Sequence, residues 1–321
     1  MFIKNDINFY EFQGHIINRE IFQINYNIAF DKFNNGYETD WVLCKKKIWD
    51  EGVVNNVPFD LHPQYINEYK QYFEPSNFYR NIVTICAVAK KDTVNSKKDY
   101  LDFLNKYIEY ALKYSITKGK SRFVTYDFDL KRQGYMLTKR WVSAIGNGFV
   151  IRALIRVYLL KKNKELLDLI REYIRPFLSI QNSKKIVNGK WFTWIDDEGF
   201  IWFDEYPGDD GIPSLVLNGH IHAMHAIHCF LQILPECEER QYYLDLYQAA
   251  MTTMKFNSLK FRRYNKINRY SLREFNKSDY LPDRTVRQQK ELYRVTNDSI
   301  FMKHAKSFEN DINYFQNLNL K

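Results

Sequence analysis

The chain has 321 residues, 45% hydrophobic and 17% aromatic, enough to bury a substantial core in one large or two modest domains and too apolar for a disordered polypeptide. Its formal charge of +9 favours anionic partners, yet no RNA-binding signature, zinc finger or helix-turn-helix accompanies the lysines, which sets nucleic acid aside. No apolar run approaches the ~20 residues of a membrane span and no secretory core opens the chain, so a protein of the cytoplasm is expected.

Residues 1 to about 55 alternate apolar and polar side chains, as in Phe9-Tyr10-Glu11-Phe12 and Ile21 to Ile28. That alternation predicts a small antiparallel β region over 1–55. From about Pro63 the period becomes helical, through Tyr65, Ile66, Tyr69, Tyr72 and Phe73 and then Tyr79, Ile82, Val83, Ile85, Cys86 and Val88. A helix follows from Tyr100 to about Ile116, and Arg122 to Leu130 reads as a strand. Helices are predicted at about 141–161 and 164–179, a β segment from Lys190 to Phe203, and a helix pair at about 214–233 and 238–255. Asn265 to Phe275 is short and strand-like or irregular, and two helices close the chain from about Arg284. Helix pairs of about 40 residues, separated by β excursions, predict a mainly α architecture, an (α/α) toroid-type helical ring over 56–321 with the β region against one end.

Four cysteines, Cys44, Cys86, Cys229 and Cys237, are scattered without CxxC spacing, which argues for reduced thiols over disulfides or zinc. The segment Trp202-Phe203-Asp204-Glu205-Tyr206-Pro207 sets an acid beside a tyrosine between a β run and a helix start. Short connections on a rigid scaffold carry catalytic groups out of proportion to their length, although a structural turn with a buried phenol uses the same residues. Downstream, His222, His225 and His228 fall on neighbouring positions of one helix, a spacing that can chelate a metal. No carboxylate lies at ligand spacing, so no metal is expected, and His220, directly after Asn218-Gly219, is as good a candidate for a ligand-facing residue.

Two blocks carry a family resemblance. Arg140-Trp141-Val142-Ser143-Ala144-Ile145-Gly146-Asn147-Gly148 leads into a helix ending Arg156-Val157-Tyr158-Leu159-Leu160, and Glu205-Tyr206-Pro207 is followed by Pro213-Ser214 and Val216-Leu217-Asn218-Gly219. They resemble the W-x-S-A-x-x-x-G, E-Y-P, P-S and V-L-N-G segments of the D-glucuronyl C5-epimerases, in the same order, and Tyr270-Ser271-Leu272-Arg273 resembles the family's Y-D-L-R element. The resemblance covers most of residues 50–310 and implies an (α/α) toroid catalytic domain. Ser271 replaces an aspartate, and Leu281 and Arg284 stand where the family carries histidines after the tyrosine matched by Tyr280.

The resemblance implies that Tyr206, Tyr270 and Tyr280 transfer protons, with Glu205 a neighbouring acid that positions substrate or tunes a phenol. It makes Arg273 the carboxylate clamp and Asn218, His220, Arg284 and Trp141 substrate-binding residues. The implied reaction converts D-glucuronate to L-iduronate in an acidic glycan or lipid-linked oligosaccharide, without an organic cofactor. A planar guanidinium suits a uronate carboxylate, and an ordinary tyrosine, near pKa 10, needs a neighbour to help it ionise. Animal members are dimers, and the expectation leans to a homodimer, although the β regions used there are abbreviated here. Three alternatives remain open: a polysaccharide lyase, which shares the first step; a glycoside hydrolase using Glu205 with Asp127, Asp204 or Asp210; and a non-catalytic carbohydrate-binding protein.

Overall fold

The computed structural model describes residues 3–4, 9–12, 15–18, 59–61, 71–91, 97–132, 135–182, 189–208, 211–273 and 282–319. The predicted strand at 21–28, the repeat from Tyr65 to Tyr69, and Asp210, Tyr280 and Leu281 lie outside these residues. Tyr72 and Phe73, read as part of a helical period, lie instead in the strand Gln71–Phe73, which pairs antiparallel with Phe59–Leu61, because ladder pairing overrides a short local repeat. Near the N-terminus, Ile3–Lys4, Phe9–Phe12 and His15–Asn18 form a three-stranded antiparallel sheet. The chain is mainly α, as its periodicity predicts, and divides into two compact units. One unit takes residues 35–132 and 136–176; the other takes 1–34, 133–135 and 177–321.

In the first unit, helices α1 (Pro75–Lys91), α2 (Lys97–Lys113), α3 (Ala144–Lys161) and α4 (Lys164–Ile174) pack with a sheet ordered Trp141–Val142, Ser121–Tyr126, Ser115–Lys118. The strand predicted from Arg122 to Leu130 stops at Tyr126. Beyond it Phe128 lies edge-on to Tyr72, Tyr126 and Trp141, while Tyr126 stacks on Trp141 at 3.9 Å. Asn147, fully buried in the first turns of α3, ties three elements together. Its Oδ1 accepts from Val124 N–H at 2.8 Å, and its Nδ2 donates to Arg122 O at 3.0 Å and Tyr173 O at 2.8 Å. One amide thus satisfies three buried backbone groups that would otherwise stay desolvated and unpaired. Lys162, left-handed at φ 55°, closes α3 by donating to Tyr158 O at 2.7 Å. The helix predicted to run to 179 ends at Ile174 and tightens into a 3-10 turn at Arg175–Leu178, where Pro176 lacks the N–H an α-helix needs.

The second unit holds the strands Ile180–Asn182, Thr193–Ile195 and Ile201–Phe203, the first pair parallel and the second antiparallel. Asp196 closes the turn between the last two by accepting from Phe200 N–H and from the Trp202 indole, both at 2.8 Å. Helices α5 (Leu217–Leu231), α6 (Glu238–Asn257), α7 (Pro282–Thr296) and α8 (Ser299–Asn319) follow. Glu238 and Glu239 suit the positive N-terminus of α6, and Pro282 with Asp283 opens α7. The α7–α8 turn is made by Asn297 at φ 55° and by Asp298, whose Oδ1 accepts from Ile300 N–H at 3.0 Å. Every residue of α5 except His222 is buried. Its sequence prediction began at 214, but the helix starts only at Leu217, because Val216 stays extended and bridges to Ser271. That bridge lies in the stretch predicted as strand-like or irregular from Asn265, where Arg269 N–H also donates to Phe261 O at 2.8 Å.

Candidate active site

Strand Ile201–Phe203 delivers the chain to Asp204 and Glu205, both buried, and then to the half-buried Tyr206. The Tyr206 and Tyr270 hydroxyl oxygens lie 3.0 Å apart, and the Tyr270 hydroxyl donates to Glu205 Oε1 at 2.9 Å. A phenol has one proton to donate. With Tyr270 committed to the carboxylate, Tyr206 must donate to Tyr270, so the three groups form a directed chain from Tyr206 through Tyr270 to Glu205. The chain runs inward: Tyr206 is its more exposed end, while Tyr270 and Glu205 are each only 6% exposed. Gly219, in the first turn of α5, lies directly under the acid. A Cβ there would sit 2.5 Å from both Cβ and Oε2 of Glu205.

The two phenol-bearing segments are held by the stretch between them. Ser214 N–H donates to Asp204 Oδ2 at 2.8 Å and Ser214 Oγ donates to Asp204 Oδ1. Tyr206 N–H is shared between Asp204 Oδ1 at 3.4 Å and Ser214 Oγ at 3.3 Å. On the other side, Ser271 Oγ donates to Ser214 O at 2.7 Å and accepts from Arg273 N–H at 2.9 Å. An aspartate at 271, as in the family's element, could accept from Arg273 but, ionised, could not donate to Ser214. Leu215 adopts φ 50° where the chain turns into α5, a conformation costing a leucine about 1 kcal/mol that the flanking bonds must outweigh. Burial pushes the Asp204 carboxyl up to about 6, opposed by the Ser214 and Tyr206 hydrogen bonds and by the charge of Arg273.

His220 does not face a sugar. It is fully buried, with Nδ1 accepting from Phe203 N–H at 2.8 Å and Nε2 facing Ala250 O at 3.2 Å, so the neutral Nε2–H tautomer satisfies both. Its ring lies against Phe203 at 5.2 Å, pinning the strand that carries Glu205 to α5 and α6. The sequence could not separate this core role from a ligand role, because the difference lies in the backbone groups that fill both nitrogens. Burial lowers the imidazole to about 4. Below pH 6.5 the unfolded chain binds a proton that the folded one refuses, so about 3 kcal/mol of stability present above pH 6.5 is lost as the pH falls towards 4. In urea unfolding, the stability advantage of wild type over His220→Gln should therefore narrow by about 3 kcal/mol between pH 7.5 and pH 4. An advantage independent of pH contradicts this assignment.

The other predicted residues fall as follows. Arg273, partly exposed, follows Tyr270 by three residues and donates through Nη1 to Ile212 O at 3.3 Å. Asn218 is 2% exposed beside Gly219, and its Oδ1 makes no hydrogen bond with the described residues. Arg284 lies in the first turn of α7, partly exposed. Trp141 belongs to the other unit, in its stack on Tyr126. The histidines after His220 diverge: His222 meets His225 edge-on at 5.7 Å, while His228 lies against Tyr247 at 5.5 Å. Among the described residues no group of three or more His, Cys, Asp or Glu side chains is arranged to hold a metal ion. Also among them, no helix is long and apolar enough to cross a membrane. Sequence reasoning weighed Asp204 only as a hydrolase acid and missed the parts played by Ser214 and Gly219. Their signal was present in the motif: a second acid before Glu205, and a serine and a glycine at fixed distance beyond.

A buried carboxylate joined to two phenols, with a cation three residues from one of them, is an arrangement along which protons can pass. The sequence profile of the D-glucuronyl C5-epimerase C-terminus matches residues 118–310, and the chain belongs to that family. No match was found among the curated proteins. Among solved structures the chain is similar to an unsaturated glucuronyl hydrolase from Streptococcus agalactiae, at 17% identity over 76% of this chain and 56% of that one, with a TM-score of 0.40. It is also similar to two mutants of the hydrolase from that organism, at 16% identity (89% of this chain, 72% of that one) and 14% (96% and 83%), each with a TM-score of 0.40. The chain thus spans just over half the length of the first of these structures.

Proposed function

We propose that the protein is a uronic acid C5-epimerase that converts D-glucuronate to L-iduronate within an acidic glycan or a lipid-linked oligosaccharide in the cytoplasm. The observation that carries this reading is the directed chain from Tyr206 through Tyr270 to Glu205. Two protons shifting inward along it leave Tyr206 as a phenolate and Glu205 protonated. In water that exchange costs about 8 kcal/mol, the gap between a phenol near 10 and a carboxyl near 4.3. A cation close to the outer phenol narrows the gap.

The Tyr206 phenolate takes the C5 proton, and the electron pair of the broken C–H bond flows into the uronate carboxylate. The extra charge on that carboxylate is met by Arg273, whose planar fork accommodates two oxygens. A proton returned to the opposite face, the part the family resemblance gives to Tyr280, completes the inversion. One proton leaves, one arrives, and no electrons are exchanged. Asn218, buried next to Gly219 in sequence, has an acceptor that makes no hydrogen bond with the described residues and suits a sugar hydroxyl.

A hydrolase pairing Glu205 with Asp204 is disfavoured, because both Asp204 oxygens are occupied by Ser214 and Tyr206, whereas hydrolysis needs two available carboxyl groups. Incubation with glucuronate oligosaccharides in deuterated water tests the reading: deuterium should appear at C5 of recovered, unbroken glycan. Ultraviolet absorbance from an unsaturated product would assign a lyase instead, and no incorporation across a panel of glucuronate glycans would overturn the proposal.

A further inference from the structure

We propose that Asp204 is the positioning residue of this site: its ionised carboxylate, acting through Ser214, holds the Tyr206 connection in register with the segment bearing Tyr270 and Arg273. This rests on the epimerase reading for its consequence in turnover, but the geometry stands by itself. Asp204 and Glu205 are neighbours in sequence with opposite surroundings. Glu205 receives a phenol. Among the described residues Asp204 receives only Ser214 N–H, Ser214 Oγ–H and Tyr206 N–H, and it is 1% exposed, so it does not meet a substrate.

The clamp reaches both phenols. Ser214, gripped by Asp204, offers its carbonyl to Ser271 Oγ, and Ser271 in turn orders Arg273 N–H. The backbone continues the link, with Leu272 N–H donating to Leu215 O at 3.2 Å and Leu217 N–H to Tyr270 O at 3.4 Å. Releasing Asp204 therefore frees the connection carrying Tyr206 and loosens the register of Tyr270 and Arg273, and a phenol pair 3.0 Å apart tolerates little of either. The anion matters as well as the shape, because all three of its partners donate. Among the described residues the groups with charge or protons around it are Glu205 and Tyr206 on its own connection and Arg273 from the facing segment. Burial raises Asp204 into the range near 6, against the pull of Arg273, so the clamp weakens on mild acidification.

The test compares wild type, Asp204→Asn, Asp204→Glu and Ser214→Ala by two readouts. In the C5 exchange assay, Asp204→Asn should lower kcat 10- to 100-fold with KM within about threefold. The acid limb of the wild-type kcat profile, centred near pH 6, should vanish with it, and Asp204→Glu should restore that limb in part. Ser214→Ala should show the same kcat-selective loss. The second readout needs no turnover: in substrate-free protein carrying 13C at the tyrosine ζ carbon, the Tyr206 and Tyr270 resonances should move together between pH 7.5 and 5 in wild type and stay fixed in Asp204→Asn. Wild type without exchange but with this coupled movement would refute the epimerase reading and leave the clamp standing. An acid limb that survives in Asp204→Asn, or phenol resonances that move equally in the variant, would overturn the clamp, and a fall in melting temperature alone would reduce Asp204 to a structural residue.

Discussion

Tyr270→Phe should reduce C5 exchange about 1,000-fold while leaving glycan affinity nearly unchanged. Tyr270 is the middle of the chain, 3.0 Å from the Tyr206 hydroxyl and 2.9 Å from Glu205 Oε1, so removing one oxygen separates the outer phenol from the only carboxylate shown to serve it among the described residues. General acid–base groups contribute roughly 10² to 10⁴ in rate, and here one atom disconnects two of them. Stability should fall by only about 1–3 kcal/mol, the cost of leaving a buried acceptor without that donor. The discriminating measurement is the double variant. Tyr206→Phe should cost about as much as Tyr270→Phe, and the pair little more than either, because groups that act as one unit are strongly non-additive. If the two losses multiply towards 10⁶, the phenols work independently, on separate faces of the sugar, and the relay is wrong.

A single methyl group at position 219 should be nearly as damaging. Gly219 is in the first turn of α5, where alanine favours the helix by about 1 kcal/mol, so propensity alone predicts a stabilised protein. The Cβ of that alanine, however, would lie 2.5 Å from Glu205 Cβ, 3.1 Å from Cγ and 2.5 Å from Oε2. The carboxylate tip can rotate away, but the Cβ is fixed to the backbone of the connection, which must itself shift. Overpacking of this kind costs about 1–3 kcal/mol, leaving a modest net loss. The larger effect is on rate, since displacing a reacting group by about 1 Å costs roughly 10²-fold. Gly219→Ala should therefore keep a cooperative melt within several degrees of wild type and lose about 99% of exchange. A variant with full exchange would show that the position of Glu205 is not critical.

The helical periodicity from Tyr79 onward, the two helices that close the chain and the order of the motif blocks were readable because each depends on neighbours in sequence: a 3.6-residue repeat, a proline, a capping acid. The paired acid and phenol at Glu205-Tyr206 were readable for the same reason, and so was Tyr270 once its motif was matched. What the sequence misjudged were residues whose role depends on what lies across a fold. His220 and Asn218 sit two residues apart on one helix with nothing local to distinguish them, yet one has both polar atoms filled by distant backbone and the other has an acceptor left over. Asp204 looked like a spare acid until Ser214, ten residues on, was found gripping both its oxygens. Alone, the sequence determined most of the helices from Tyr79 onward and the family the chain belongs to. Only the tertiary structure decided the direction of the phenol chain, the division of labour between adjacent carboxylates and the need for a glycine beneath one of them. Hydrogen-bond direction, desolvation and steric contact are set by atoms tens of residues apart in the chain, and only folding brings these together.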